Sequence, residues 1–157
     1  MTDAAAFGVR RATPADSAVL GRMLWDFNTE FDSPTDPADV LAARFRRLLE
    51  RDDVIALIAG EADGFALVTM RPAIWFDGPV SQLEELYVVP ALRDRGIGTA
   101  ILTAARRLVR DHGSPEMHIN VDEVDADTRR FYERHGFVNI EEGADYRMLC
   151  YTGPTDT

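Results

Sequence analysis

The sequence predicts an α/β sandwich built on a mixed sheet. Three observations carry this. Short apolar runs at Val54–Ala59, Phe65–Met70, Val80–Val89 and Met117–Val121 read as strands. Longer stretches between them place apolar residues at helical spacing, as in Val19, Leu20, Met23, Leu24 and Phe27. The elements follow the order β-α-α-β-β-β-α-β-α-β-β, in which runs of adjacent strands alternate with helices.

Phe7 to Ala12 reads as the first strand. Thr13 is the expected helix N-cap, with Pro14 in the first turn and Asp16 three residues on. The polar, proline-containing stretch from Asn28 to Pro37 is a loop. Ala38 to Leu49 reads as a second helix, with Val40, Leu41, Phe45, Leu48 and Leu49 on one side. Glu61-Ala62-Asp63-Gly64 is a hairpin turn signal between two strands. Arg71 to Pro79 carries a loop containing Trp75 and Phe76. Thr99 to Arg110 is a helix stopped by Gly113, and Asp127 to His135 is one ended by Gly136. Phe137 to Ile140 and Tyr146 to Tyr151 are expected to pair as a final hairpin.

At 157 residues the chain is expected to form a single domain, 1–157, with its core at about 7–151. No apolar run is long enough to span a membrane, and no signal peptide opens the chain. The expectation is a cytoplasmic protein without membrane contact. The single cysteine, Cys150, fits a reducing compartment and reads as a small strand residue. His112, His118 and His135 do not have metal-ligand spacing, so no metal is expected. The net charge of −10 disfavours nucleic acid, whose binding leans on a basic face. It suits a cationic substrate, and equally suits plain acidic solubility.

The most informative stretch is Val88-Val89-Pro90-Ala91-Leu92-Arg93-Asp94-Arg95-Gly96-Ile97-Gly98. It reads strand, tight loop, helix. Such a junction aims backbone N–H groups and the positive end of a helix dipole at one spot, which suits a phosphate. The dinucleotide fingerprint would want a third glycine where Ile101 stands. The P-loop would want a lysine, and the chain has none. What remains is a pyrophosphate loop with Arg-x-x-Gly-x-Gly spacing.

That loop resembles the acyl-coenzyme A loop of the GNAT superfamily of N-acetyltransferases, through Arg93, Gly96 and Gly98. Two further segments match in order and spacing. Arg130-Phe131-Tyr132-Glu133-Arg134-His135-Gly136-Phe137 resembles the family's Tyr-Glu-x-x-Gly-Phe segment, and Leu83-Glu84-Glu85-Leu86-Tyr87-Val88 its central strand. The opening Val9 to Asp16 is also similar to the family's first strand and helix. The resemblance runs from about Val9 to Tyr151. It implies a mixed, mostly antiparallel sheet flanked by helices on both faces, with two strands splayed to admit the coenzyme's pantetheine arm.

The resemblance also implies roles. Acetyl-CoA is the expected cosubstrate. Arg93, Asp94, Arg95, Gly96, Ile97, Gly98 and Thr99 would hold its pyrophosphate. Leu86, Tyr87 and Val88 would bind the pantetheine through their backbone, with the Leu86 N–H polarising the thioester. Asp125 stands seven residues before Tyr132, where the family commonly has a coenzyme-contacting asparagine; it keeps a helix-capping acceptor and loses a donor. Tyr132 is the expected general acid. A phenol titrates at about 10 and so holds its proton at pH 7, ready for the leaving thiolate.

Glu84 and Glu85 are adjacent on a strand, which predicts opposite faces. The segment resembles the central strand of spermidine/spermine acetyltransferases. Carried over, Glu84 is the general base and Glu85 a secondary contact to the acceptor. In this fold the first two helices and their loop wall the acceptor site. Trp25, Phe27 and Glu30, together with Trp75 from the later loop, are the expected acceptor contacts, through charge and cation–π interaction. The expected reaction is acetyl transfer to the primary amine of a small cationic acceptor: a polyamine, a diamine or an aminoglycoside. Acetylation of a protein or peptide amine is an alternative. A non-catalytic acyl-CoA-binding module is a third reading, from another class. A homodimer is compatible with the apolar last strands.

Overall fold

The structure is a computed structural model that describes residues 4–156. Contacts group the chain into two compact units, Met1–Ile119 and Asn120–Thr157. They are described in turn.

Among its described residues the first unit is a five-stranded sheet with three α-helices. The strands are β1 (Arg10–Arg11), β2 (Val54–Ala59), β3 (Gly64–Arg71), β4 (Val80–Val88) and β5 (Met117–Ile119), and they lie side by side in chain order. Neighbours from β1 to β4 are antiparallel, and β5 joins β4 in parallel. Every residue of β2 is buried, as its unbroken Val-Ile-Ala-Leu-Ile-Ala run requires of a strand covered on both faces. The expected first strand is shortened. A 3-10 turn occupies Ala4–Phe7, and Gly8 adopts a left-handed φ of 59°. The ladder nevertheless continues past β1 at both ends, with Gly60 N–H donating to Phe7 O and Ala12 N–H to Ala56 O.

Helices α1 (Ser17–Glu30) and α2 (Ala38–Leu48) pack on one face of this sheet. Leu20, Met23 and Phe45 form a core there with Val54, Ala56, Ile58, Phe65, Leu67 and Tyr87. Thr13, Pro14 and Asp16 open the α1 region as expected, through a 3-10 turn, and the Asp16 carboxylate accepts the Thr13 N–H at 2.8 Å. Arg10 grips the same carboxylate with both terminal nitrogens and holds it well below the usual carboxylate range. Helix α3 (Ile97–Asp111) packs against β2, β3 and β4, and buries Ile101, Leu102 and Ala105.

Among its described residues the second unit has one helix, α4 (Ala126–Arg134). Phe131, Tyr132, His135 and Phe137 form an aromatic cluster at its C-terminal end, with Phe131 and His135 rings 4.5 Å apart. Beyond it the expected closing hairpin is absent from the described residues. Phe137–Ile140 and Tyr146–Tyr151 are irregular, joined by one backbone bond from Met148 N–H to Asn139 O. Two strands this short are marginal without a third to pair with. Val138, Tyr146, Leu149 and Tyr151 are left exposed. Among the described residues no helix is long and apolar enough to cross a membrane.

Candidate active site

The site grows from an irregularity in β4. Leu67 of β3 pairs with Glu85, yet the next residue, Val68, pairs with Leu83. Glu84 is therefore an extra residue, a β-bulge. This overturns the expectation that Glu84 and Glu85 point to opposite faces. Leu67 and Thr69 share one face of β3, because strand residues two apart do. Glu85 lies opposite Leu67, and the Glu84 carboxylate accepts the Thr69 hydroxyl at 2.6 Å. Both carboxylates thus come to the face that carries α1 and α2. Alternation holds only while the ladder is regular, and the extra residue resets it.

The two carboxylates differ in environment. Glu84 is exposed, with one oxygen engaged by Thr69. Glu85 is half-buried and carries a pKa pushed up to about 7, first by burial and then by the charge of Glu84. The perturbed acid is the one the sequence reading made secondary.

Beside the bulge the sheet opens. β5 pairs only with Ser81, Gln82 and Leu83. From Glu84 to Val88 the outer edge of β4 has no strand partner in this unit, so alternate backbone groups of Leu86, Tyr87 and Val88 are offered on that side. Leu86 is paired with Ala66 on the other.

At the end of β4, Pro90–Leu92 makes a 3-10 turn and the chain then bends sharply into α3. Two left-handed residues make the bend, Asp94 at φ 61° and Gly96 at φ 91°. The first helical bond runs from Ala100 N–H to Gly96 O. The Ile97 and Gly98 amides, in the first turn of α3, therefore point outward from the helix start. Arg95 is exposed beside them. An open strand edge leading to an amide-rich helix start fits an extended acyl-coenzyme with a pyrophosphate at its bend.

Arg93 is spoken for. Its two terminal nitrogens bind both oxygens of Glu30, at 2.6 and 2.7 Å, and its Nε donates to Val88 O at 3.0 Å. Glu30, expected to meet the acceptor, is thereby taken up. Phe27 is stacked on Tyr87, with centroids 5.1 Å apart, and serves the core. Trp25 carries the Arg22 guanidinium over its ring at 5.0 Å, so one face of the ring is already covered. Trp75 is 86% exposed on the loop before β4, at the opposite end of that strand from the α3 turn. Tyr87 is buried, so only its backbone is available to a ligand.

In the second unit Tyr132 is buried on α4 and edge-on to Phe137. Asp125 occupies the N-cap of α4, but its side chain makes no capping bond; its carbonyl accepts the Arg129 N–H instead. The sequence reading missed Thr69 and the bulge. Thr69 gives no signal of its own, because its role depends on the cross-strand register.

Residues 20–137 match the acetyltransferase (GNAT) family. The chain belongs to that family. GNAT membership makes it an acetyl-CoA-dependent N-acetyltransferase. It is 30% identical over 150 residues to the aminoglycoside N(6')-acetyltransferase type 1 of Stenotrophomonas maltophilia, covering 89% of this chain and 92% of that one. A crystal structure assigned as an acetyltransferase from Arthrobacter sp. FB24 superposes with a TM-score of 0.87 at 48% identity, over 93% and 94% of the two chains. The fold is shared with AAC(6')-Iy, solved with the bisubstrate analogue CoA-S-monomethyl-acetylneamine. That likeness has a TM-score of 0.70 at 24% identity, over 90% of this chain and 97% of that one.

Proposed function

We propose that this GNAT enzyme acetylates a primary amine of a small polycationic acceptor of the aminoglycoside kind, and that Glu85 is its general base. The observation that carries the reading is the β4 bulge, which gathers two carboxylates on one face beside the open coenzyme edge. An amine must lose its proton to attack, and a base poised near 7 suits that task better than an ordinary glutamate. Glu84, held by Thr69, supplies the second negative charge that draws an ammonium in.

The bound coenzyme supplies the activated acetyl group as a thioester. The Leu86 N–H is proposed to polarise that carbonyl, and the Ile97, Gly98 and Thr99 amides with Arg95 to take the pyrophosphate. Asp94 and Gly96 shape the bend that presents them. Tyr132 is proposed as the acid that meets the leaving thiolate, on the strength of its motif. The acceptor is proposed to lie against the C-terminal end of α1 and the α1–α2 loop. The aminoglycoside relative supports the acceptor class. The relatives named above do not specifically support the spermidine-type likeness of the central strand.

The chain is further read as one working domain and a cytoplasmic homodimer. Its exposed apolar C-terminal segment supports the dimer. Sedimentation of the purified protein tests it, and a single monomer species at micromolar concentration counts against it.

The deciding experiment follows thiol release from acetyl-CoA with neamine, kanamycin, spermidine, putrescine and a short peptide. Turnover highest on the aminoglycosides supports the reading. Turnover confined to spermidine or to the peptide overturns the acceptor class.

A further inference from the structure

Arg93 stands in the motif position that would ordinarily be assigned to the pyrophosphate. Its surroundings show another use. All three nitrogens are engaged, two by Glu30 and one by the last carbonyl of β4, and the guanidinium lies 5.8 Å from the centre of the Tyr87 ring. Glu30 is the last residue of α1, and Arg93 lies in the turn between β4 and α3. One turn earlier on α1, Phe27 stacks on Tyr87, and Phe31 meets Phe27 edge-on at 5.5 Å. The end of α1 is thus bound to the coenzyme strand and turn by one two-pronged ion pair and a ring stack. Both charged side chains are partly sheltered, at 36% and 27% exposure, so water screens the pair less than it would on an open surface.

We infer that Arg93 is a positioning residue: the Arg93–Glu30 pair is a strut that fastens the acceptor-side end of α1 to the coenzyme turn. With three of its five N–H donors taken, one on each nitrogen, the guanidinium keeps two donors that point to opposite sides and so has no parallel fork to offer a phosphate. The strut aligns the surface that receives the amine with the strand that presents the thioester. It rests on the acceptor-site reading above for the identity of that surface.

The test uses Arg93→Gln, Glu30→Gln, the double variant, Arg93→Lys and the exchange Glu30→Arg/Arg93→Glu. Coenzyme A binding is followed by calorimetry, unfolding by urea, and kinetics with neamine. A strut predicts the same phenotype from either end. Each single Gln variant lowers the urea midpoint, and the double variant is no worse than the worse single one. Coenzyme A affinity falls by no more than about threefold in either, while KM for neamine rises roughly tenfold. Arg93→Lys behaves as Arg93→Gln, since an ammonium cannot reproduce the fork. The exchange recovers part of the midpoint.

A loss of coenzyme A affinity of about tenfold or more in Arg93→Gln, with Glu30→Gln unaffected, overturns the inference and returns Arg93 to the pyrophosphate. Additive midpoints overturn it too. Wild-type protein that binds no coenzyme A would sink the site reading instead, and the urea cycle, which needs no ligand, would still decide the strut.

Discussion

At the scale of single residues, the proposed mechanism turns on Glu85. Its carboxyl, raised to about 7 by burial and by Glu84, keeps a proton that the unfolded chain has already lost. The folded state is therefore penalised progressively as pH rises from the ordinary glutamate range to about 7, with the penalty complete above it. Glu85→Gln removes that penalty, so its melting temperature should exceed wild type at pH 8 and match it more closely at pH 5. The same change should lower kcat/KM by about 10²- to 10⁴-fold and abolish the rise of activity through pH 7. A variant that loses neither activity nor the pH dependence refutes the base assignment. Tyr132→Phe should lower turnover by roughly tenfold or more with coenzyme A affinity nearly unchanged. Unchanged turnover would reduce Tyr132 to a packed ring. The motif around Tyr132 was legible because it is local, lying within one short stretch of chain. That Glu84 and Glu85 share one face was not legible, because the bulge that turns them is a property of strand pairing.

At the scale of elements, two close approaches set the geometry of the site. Helices α1 and α2 touch at Gly21, where an added Cβ would stand 2.6 Å from the Ala38 carbonyl and the Ala42 nitrogen. Gly21→Ala must push the helices apart, at a cost of about 1–3 kcal/mol in urea unfolding. Since the end of α1 reaches the β4–α3 turn through Glu30 and Arg93, the acceptor KM should rise as well on the proposed reading. A fully stable Gly21→Ala protein would show that the contact relaxes. The second approach is the turn into α3. Gly96 sits at φ 91° with its carbonyl in the first helical bond. Gly96→Ala places a side chain in the left-handed region, worth roughly 1–2 kcal/mol. It should weaken coenzyme A binding more than it lowers the melting temperature of the free protein. Most elements were legible from periodicity: β2 and the helices lie within a few residues of their expected bounds. The closing hairpin was not, because period-two patterning shows that a segment could be a strand, while pairing requires a partner.

At the scale of the whole molecule, the net charge of −10 should steer a polycation toward the carboxylates on the β4 face. Raising salt from about 0.02 to 0.3 M should lower kcat/KM for neamine several-fold, since the Debye length contracts to a few ångströms. A flat salt response would leave the acidity as a matter of solubility alone. The amino-acid sequence by itself determined the order of the helices and the first four strands, the tight turn from β4 into α3 and the family. These rest on short-range causes: hydrophobic period, capping, and glycines where the backbone must bend. Only the tertiary structure decided which glutamate is perturbed, what Arg93 holds, and how few residues of β5 meet β4. Each of these depends on residues distant in sequence, such as Glu30 with Arg93 or Thr69 with Glu84, brought together by packing and strand register that no local pattern encodes.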